Sequence, residues 1–140
     1  MSGFLLDTSV ISELRRPRPN AGLIRWIESV DERALFLSVI TIGELRVGIE
    51  MLGNSRKRAD LEVWLVSAVT QRFSGRILSF DLDVADQWGR IEANARVASG
   101  KLPVVDGLIA ATAIRHGLTL VSHNTRDFAR TGVTMLSPWN

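Results

Sequence analysis

Three carboxylates stand beside apolar runs: Asp7 in Phe4-Leu5-Leu6-Asp7-Thr8-Ser9, Glu44 in Thr41-Ile42-Gly43-Glu44-Leu45, and Asp106 in Val104-Val105-Asp106-Gly107-Leu108-Ile109. A fourth segment, Ser122-His123-Asn124-Thr125-Arg126-Asp127-Phe128, adds Asn124 and Asp127. A carboxylate in apolar surroundings is costly unless it is paired, hydrogen-bonded or bound to a cation. Lys57 and Lys101 are the chain's lysines; no arginine lies within two residues of Asp7 or Asp106, and Arg46 alone lies that close to Glu44. If the fold gathers these acids, a divalent metal is the economical partner. Magnesium fits best, with manganese as the alternative, because both prefer oxygen ligands. Such a centre lowers the pKa of bound water and offsets charge on a phosphorane-like transition state. Chemistry open to such a centre includes phosphodiester hydrolysis by in-line attack of activated water, assisted by one carboxylate, which requires no serine, cysteine or histidine nucleophile.

Each residue also has a local reading. Asp7 could cap a helix starting at Thr8, and Thr8 and Ser9 could cap it themselves or hydrogen-bond the carboxylate. Glu44 could answer Thr41 in a capping box. Asp106 could favour a helix dipole, and Asn124 could be a turn residue. Arg46, Arg126 and Arg130 are near enough in sequence to meet phosphates, or they are solvated. Trp26, Trp64, Trp88 and Trp139 fit core or interface better than base stacking. His116 and His123 are not expected to be catalytic; His123 borders Asn124 and so has a minor route to substrate.

The elements that must position these groups follow from pattern. Gly3 to Asp7 is a short buried strand, followed by a helix to about Arg15 that Pro17 and Pro19 stop. Asn20 opens a second helix, with Ile24, Ile27 and Trp26 on its inner side, and Leu35 to Ser38 is a second strand. Thr41 is expected to cap a helix carrying Glu44, with Leu45, Ile49 and Leu52 as its apolar stripe. After a turn at Gly53-Asn54-Ser55, Arg56 to Phe73 reads as one amphipathic helix packed through Leu61, Trp64, Leu65 and Ala68. Arg76 to Phe80 is a third strand, and Asp81 caps a helix to about Ser99 with Val84, Trp88, Ile91 and Ala95 at helical spacing. A loop over Gly100 to Pro103 leads to a helix from Val105 to His116, ended by Gly117. Leu118 to Ser122 is a fourth strand and Val133 to Leu136 a short fifth.

Strands alternating with helices imply right-handed crossovers and a parallel sheet with helices on both faces. Ligands of such sheets sit beyond the carboxyl ends of the strands, where all four segments would converge.

At 140 residues, with 46% hydrophobic and 23% charged residues, the chain is long enough for one globular domain with its own core. Cysteine is absent and the two histidines have no zinc-like spacing, which excludes disulfides and makes a structural zinc a poor fit. No charged leader or membrane-length apolar run is visible, so a cytoplasmic location is expected. Net charge is only +2, yet fifteen of the seventeen basic residues are arginine, which grips phosphate in a bidentate manner. Arginine-rich coding in a GC-rich genome would produce the same bias, so charge does not choose the partner.

At the quoted residues the chain resembles the PIN-domain family, in particular the VapC-like and FitB-like toxins of bacterial type II toxin–antitoxin modules. "LLDTSVISEL" is similar to the family's opening strand and first acid, and "SVITIGELRVGIE" to the helix bearing the second. "PVVDGLIAATAIRHGLTLVSHNTRDF" is similar to the segment with the third acid and the final motif. The resemblance covers nearly the whole chain. It implies a three-layer α/β/α sandwich with a short, mainly parallel central sheet of four or five strands, and a single nuclease domain over 1–140. It implies a metal-dependent ribonuclease with Asp7, Glu44 and Asp106 as metal-binding acids, and products bearing a 5′-phosphate and a 3′-hydroxyl. It also implies a small DNA-binding antitoxin whose C-terminal segment crosses the active site, and a toxin homodimer within a heterotetramer or larger assembly.

One departure concerns Asn124, where many members carry a fourth acid; Asp127 could contribute a carboxylate instead. Asn124 can still ligate a metal or orient water, but adds no charge. The chain therefore has two rival readings. One is a PIN-like module that binds RNA or protein with a degenerate metal site. The other is a HAD-type phosphatase, because Ile77-Leu78-Ser79-Phe80-Asp81-Leu82-Asp83 mimics a strand followed by a D-x-D opening.

Overall fold

The computed structural model describes residues 2–98 and 100–140. Five strands form one sheet in the order β3-β2-β1-β4-β5, every neighbouring pair parallel. They are β1 (Phe4–Leu6), β2 (Leu35–Ser38), β3 (Ile77–Leu78), β4 (Thr119–Val121) and β5 (Met135–Leu136). The helices are α1 (Thr8–Arg15), α2 (Ala21–Ser29), α3 (Val39–Glu50), α4 (Arg56–Val63), α5 (Thr70–Arg72), α6 (Leu82–Val97), α7 (Val104–Arg115) and α8 (Thr125–Phe128).

Period-two alternation divides the strand residues between two cores. Leu5, Leu120 and Phe36 face one core with Val84, Ile91, Ile109 and Phe128 of α6, α7 and α8. Leu6, Val121, Leu35 and Leu37 face the other with Val10, Leu23, Leu45, Ile49 and Leu65. This is the expected α/β/α sandwich, and the sheet is wholly parallel. No helix among the described residues is long and apolar enough to cross a membrane.

Several boundaries differ from expectation. Ser38, not Thr41, caps α3, its side chain accepting from the Ile40 N–H at 3.0 Å. The helix therefore starts three residues earlier and buries Thr41 in its first turn. The single helix expected over Arg56 to Phe73 contains a π-helical segment at Trp64–Val69 between α4 and α5. That wider turn shifts the inward face: Leu65 and Val69 are buried, while Ala68 is exposed. Leu52 likewise lies outside the apolar stripe at 38% exposure. β3 is only two residues long. The Asp81 cap holds, accepting from Val84 N at 3.0 Å; the expected end of its helix near Ser99 lies outside the described residues. The helix α8 was not expected.

Candidate active site

The strand order turns back between β1 and β4, the place where ligands of open parallel sheets bind, and Asp7 and Ser122 meet beyond the carboxyl ends of these two strands. Asp7 directly follows β1. It occupies the N-cap position of α1, yet its side chain makes no capping bond. One of its oxygens, Oδ2, instead accepts from Ser122 Oγ at 2.7 Å and from Ser9 Oγ at 3.0 Å. Asp7 is 5% exposed, and these two hydroxyls help offset the cost of that burial.

Glu44 lies one turn into α3, half-buried. Its carboxylate takes a hydrogen bond from the Thr8 hydroxyl, which also contacts Thr41 Oγ1 at 3.2 Å. The capping-box reading fails, because Thr41 is not the cap and Glu44 reaches across to α1. Asp106 stands in the first turn of α7, whose cap is Pro103 and supplies no side-chain bond. Burial, followed by the negative charges of Asp7, Asp127 and Glu44, pushes the Asp106 carboxyl up to about 6. Asp106 therefore lies within electrostatic reach of three acids from remote segments.

Asn124 and Asp127 divide what had been expected of a single position. Asn124 precedes α8 and serves the loop through its backbone: its N–H donates to Ser122 Oγ at 2.9 Å and its carbonyl accepts from Asp127 N at 3.1 Å. Its exposed side chain makes no cap bond. The fourth acid of the set is Asp127, whose charge acts on Asp106 together with those of Asp7 and Glu44. Of the two roles open to Ser9, capping and bonding the carboxylate, it takes the second, since Asp7 holds the N-cap position; Arg126 is exposed on α8. The residues missed from sequence are Ser122 and Thr41. Both are fully buried hydroxyls at element ends, 1% exposed or less. A serine or threonine directly beside an apolar strand or in a helix's first turn was the available signal.

The donor set suits a hard cation: it is oxygen throughout, and among the described residues none of the four acids forms an ion pair with arginine or lysine. Among those residues no three acidic or imidazole side chains converge closely enough to hold one ion unaided. Magnesium accepts this arrangement, since it commonly takes one or two carboxylates and fills its shell with water and phosphate oxygens. Asp81 and Asp83 are engaged elsewhere, capping α6 and pairing with Arg115 at 3.0 Å. The HAD-type reading is thereby corrected: neither acid acts on Asp106.

Residues 4–133 match the PIN domain. The chain belongs to the PIN-domain family. Among relatives of this PIN domain is the Toxin FitB of Neisseria gonorrhoeae, 39% identical over 97% of this chain and 98% of that protein. The VapC ribonuclease Y4jK of Sinorhizobium fredii is 34% identical, over 96% of each. The solved structure of FitAB bound to an IR36 DNA fragment superposes on the PIN domain with a TM-score of 0.89 at 36% identity, covering 98% of this chain and 96% of that one.

Proposed function

We propose that this PIN domain, acting as one unit over 1–140, is an endoribonuclease and the toxin of a type II toxin–antitoxin pair. The observation that carries the reading is that three further acids, Asp7, Glu44 and Asp127, act on Asp106, and among the described residues none of the four is paired with arginine or lysine. Asp7 and Asp106 would hold a magnesium ion, with Glu44 and Asp127 completing the negative crevice through water. A bound divalent ion supplies an acidified water and offsets charge on the scissile phosphate. The chain's own part is positioning. Ser9 and Ser122 hold Asp7 Oδ2 and leave Oδ1 for the ion; Thr8 holds Glu44, whose remaining oxygen can take a proton from the attacking water. Arg126, exposed in α8, would meet the substrate backbone.

The names of the two relatives, a toxin and a ribonuclease, support RNA as substrate and a role in growth arrest. A cognate antitoxin with a DNA-binding part is the corresponding partner, and a toxin homodimer in a heterotetramer or larger complex the corresponding assembly, in the cytoplasm. The purified chain should cut single-stranded RNA with magnesium and lose activity with chelator, and Asp106→Asn should lose both cleavage and magnesium binding by calorimetry. Wild-type protein that binds no divalent ion would favour the alternative, a PIN-like module that grips RNA or protein without cutting it.

A further inference from the structure

We infer that His123, stacked on Trp139, forms a nucleobase platform at the rim of the acid crevice, on which a base flanking the scissile phosphate lies; this rests on the ribonuclease reading. The two rings are 4.7 Å apart and nearly parallel, at 5°. Trp139 is half-buried and packs against the core that contains Leu6 and Val121. His123 is exposed, so the order is core, indole, imidazole, solvent. Among the described residues the imidazole makes no hydrogen bond or ion pair, so polar satisfaction does not account for its place.

Both rings are held from behind. The His123 N–H donates to Ser9 Oγ at 3.2 Å, and Ser9 in turn donates to Asp7 at 3.0 Å. The platform is thus one hydroxyl away from the catalytic acid. Trp139 is fixed by the residue after it: Asn140 N donates to Asn20 Oδ1 at 3.2 Å, and Asn140 Oδ1 accepts from Gly22 N at 3.0 Å. A flat surface held in advance loses little freedom on binding. Stacking on it tolerates any base, because every base has a π face. Arg126, three residues further on and exposed in α8, would supply positive charge for the neighbouring phosphate.

The test uses short single-stranded RNA and the same strand made abasic, titrated against protein fluorescence with divalent ions chelated so that nothing is cut. His123→Ala is expected to weaken binding of the base-bearing strand about tenfold and leave the abasic strand unchanged. His123→Phe should restore the base-bearing affinity, and the quench should be smaller in Trp139→Phe. The platform is overturned if His123→Ala binds both strands as wild type does, or if it only lowers the melting temperature, which would make the stack a tail anchor. Cleavage with magnesium restored separates the two claims. Wild-type cutting with an unchanged KM in His123→Ala removes the platform and keeps the nuclease; base-dependent binding with no cutting by wild type does the reverse.

Discussion

Ser122 Oγ donates to Asp7 Oδ2 at 2.7 Å across the ends of two neighbouring strands, joining residues 115 positions apart. The parallel register that sets Leu6 beside Val121 makes this contact unavoidable. Because the serine and Ser9 donate to the same carboxylate oxygen, the other takes no hydrogen bond among the described residues, and under the proposed function it would be the oxygen offered to an ion. Asp7→Asn and Asp106→Asn are each expected to lower kcat/KM on RNA by at least about a hundredfold, the equivalent of losing the charge that holds the ion. Steady-state cleavage of a labelled strand checks this, and growth arrest on expression should be relieved in parallel. Continued toxicity of both variants would count against metal catalysis.

Thr8 has a role that its methyl group cannot fill. Its hydroxyl holds Glu44, so Thr8→Val should free that carboxylate and reduce cleavage about tenfold, while Thr8→Ser retains activity. Equal losses in both variants would indicate packing rather than the hydrogen bond.

Asp127 and Asn124 should separate cleanly. Only the former places charge near Asp106. Asp127→Asn is expected to weaken magnesium binding severalfold in calorimetry, whereas Asn124→Ala, which leaves the backbone bonds of Asn124 intact, should bind magnesium as wild type does. The opposite ranking would return the fourth position to Asn124.

The pH dependence of stability follows from Asp106, which is faced by Asp7 beyond β1, Glu44 of α3 and Asp127 of α8. Its folded value of about 6 lies above the ordinary 3.8. Below roughly pH 4 the group is protonated in folded and unfolded chains alike. Between there and about 6 only the folded chain keeps the proton, so with divalent ions chelated stability falls as pH rises through this window, and the loss is complete above it. Asp106→Asn should therefore melt higher than wild type at pH 7.5 and with little difference near pH 4. Magnesium should shrink the gap at high pH by stabilising the wild-type carboxylate. A pH-independent difference in melting temperature would overturn the assignment.

Gly22 tests the anchoring of the C-terminal tail. A Cβ built there would lie 2.5 Å from the Pro138 carbonyl oxygen, and a backbone atom cannot swing aside as a side-chain tip can. Gly22→Ala is expected to destabilise the fold by about 1–3 kcal/mol, read by urea denaturation, with the Trp139 emission shifting as the tail lifts. Unchanged stability would show that the tail relaxes freely.

Much of this molecule was legible from residue order. The alternation of Leu5 with Leu6 and of Leu120 with Val121, and the helical spacing of Val84, Ile91 and Ala95, are local patterns of burial, so sheet and helices followed from them. Asp7, Glu44 and Asp106 stood out because a charge among apolar neighbours is costly, and that is also a local property. Element ends were less legible. Ser38 and Thr41 are both competent caps, and where β2 stops decides between them; the π segment at Trp64–Val69 has no local signature in the residue order.

Tertiary structure alone decided which partners the acids have. Glu44 could have bonded Thr41 in its own helix and instead meets Thr8; Asp127, not Asn124, joins Asp7 and Glu44 in acting on Asp106; and His123 lies on Trp139, whose neighbour Asn140 is tied back to Asn20 and Gly22. Hydrogen bonding and charge repulsion act over a few ångströms of space, whatever the separation along the chain, so residue order could nominate these side chains but not pair them.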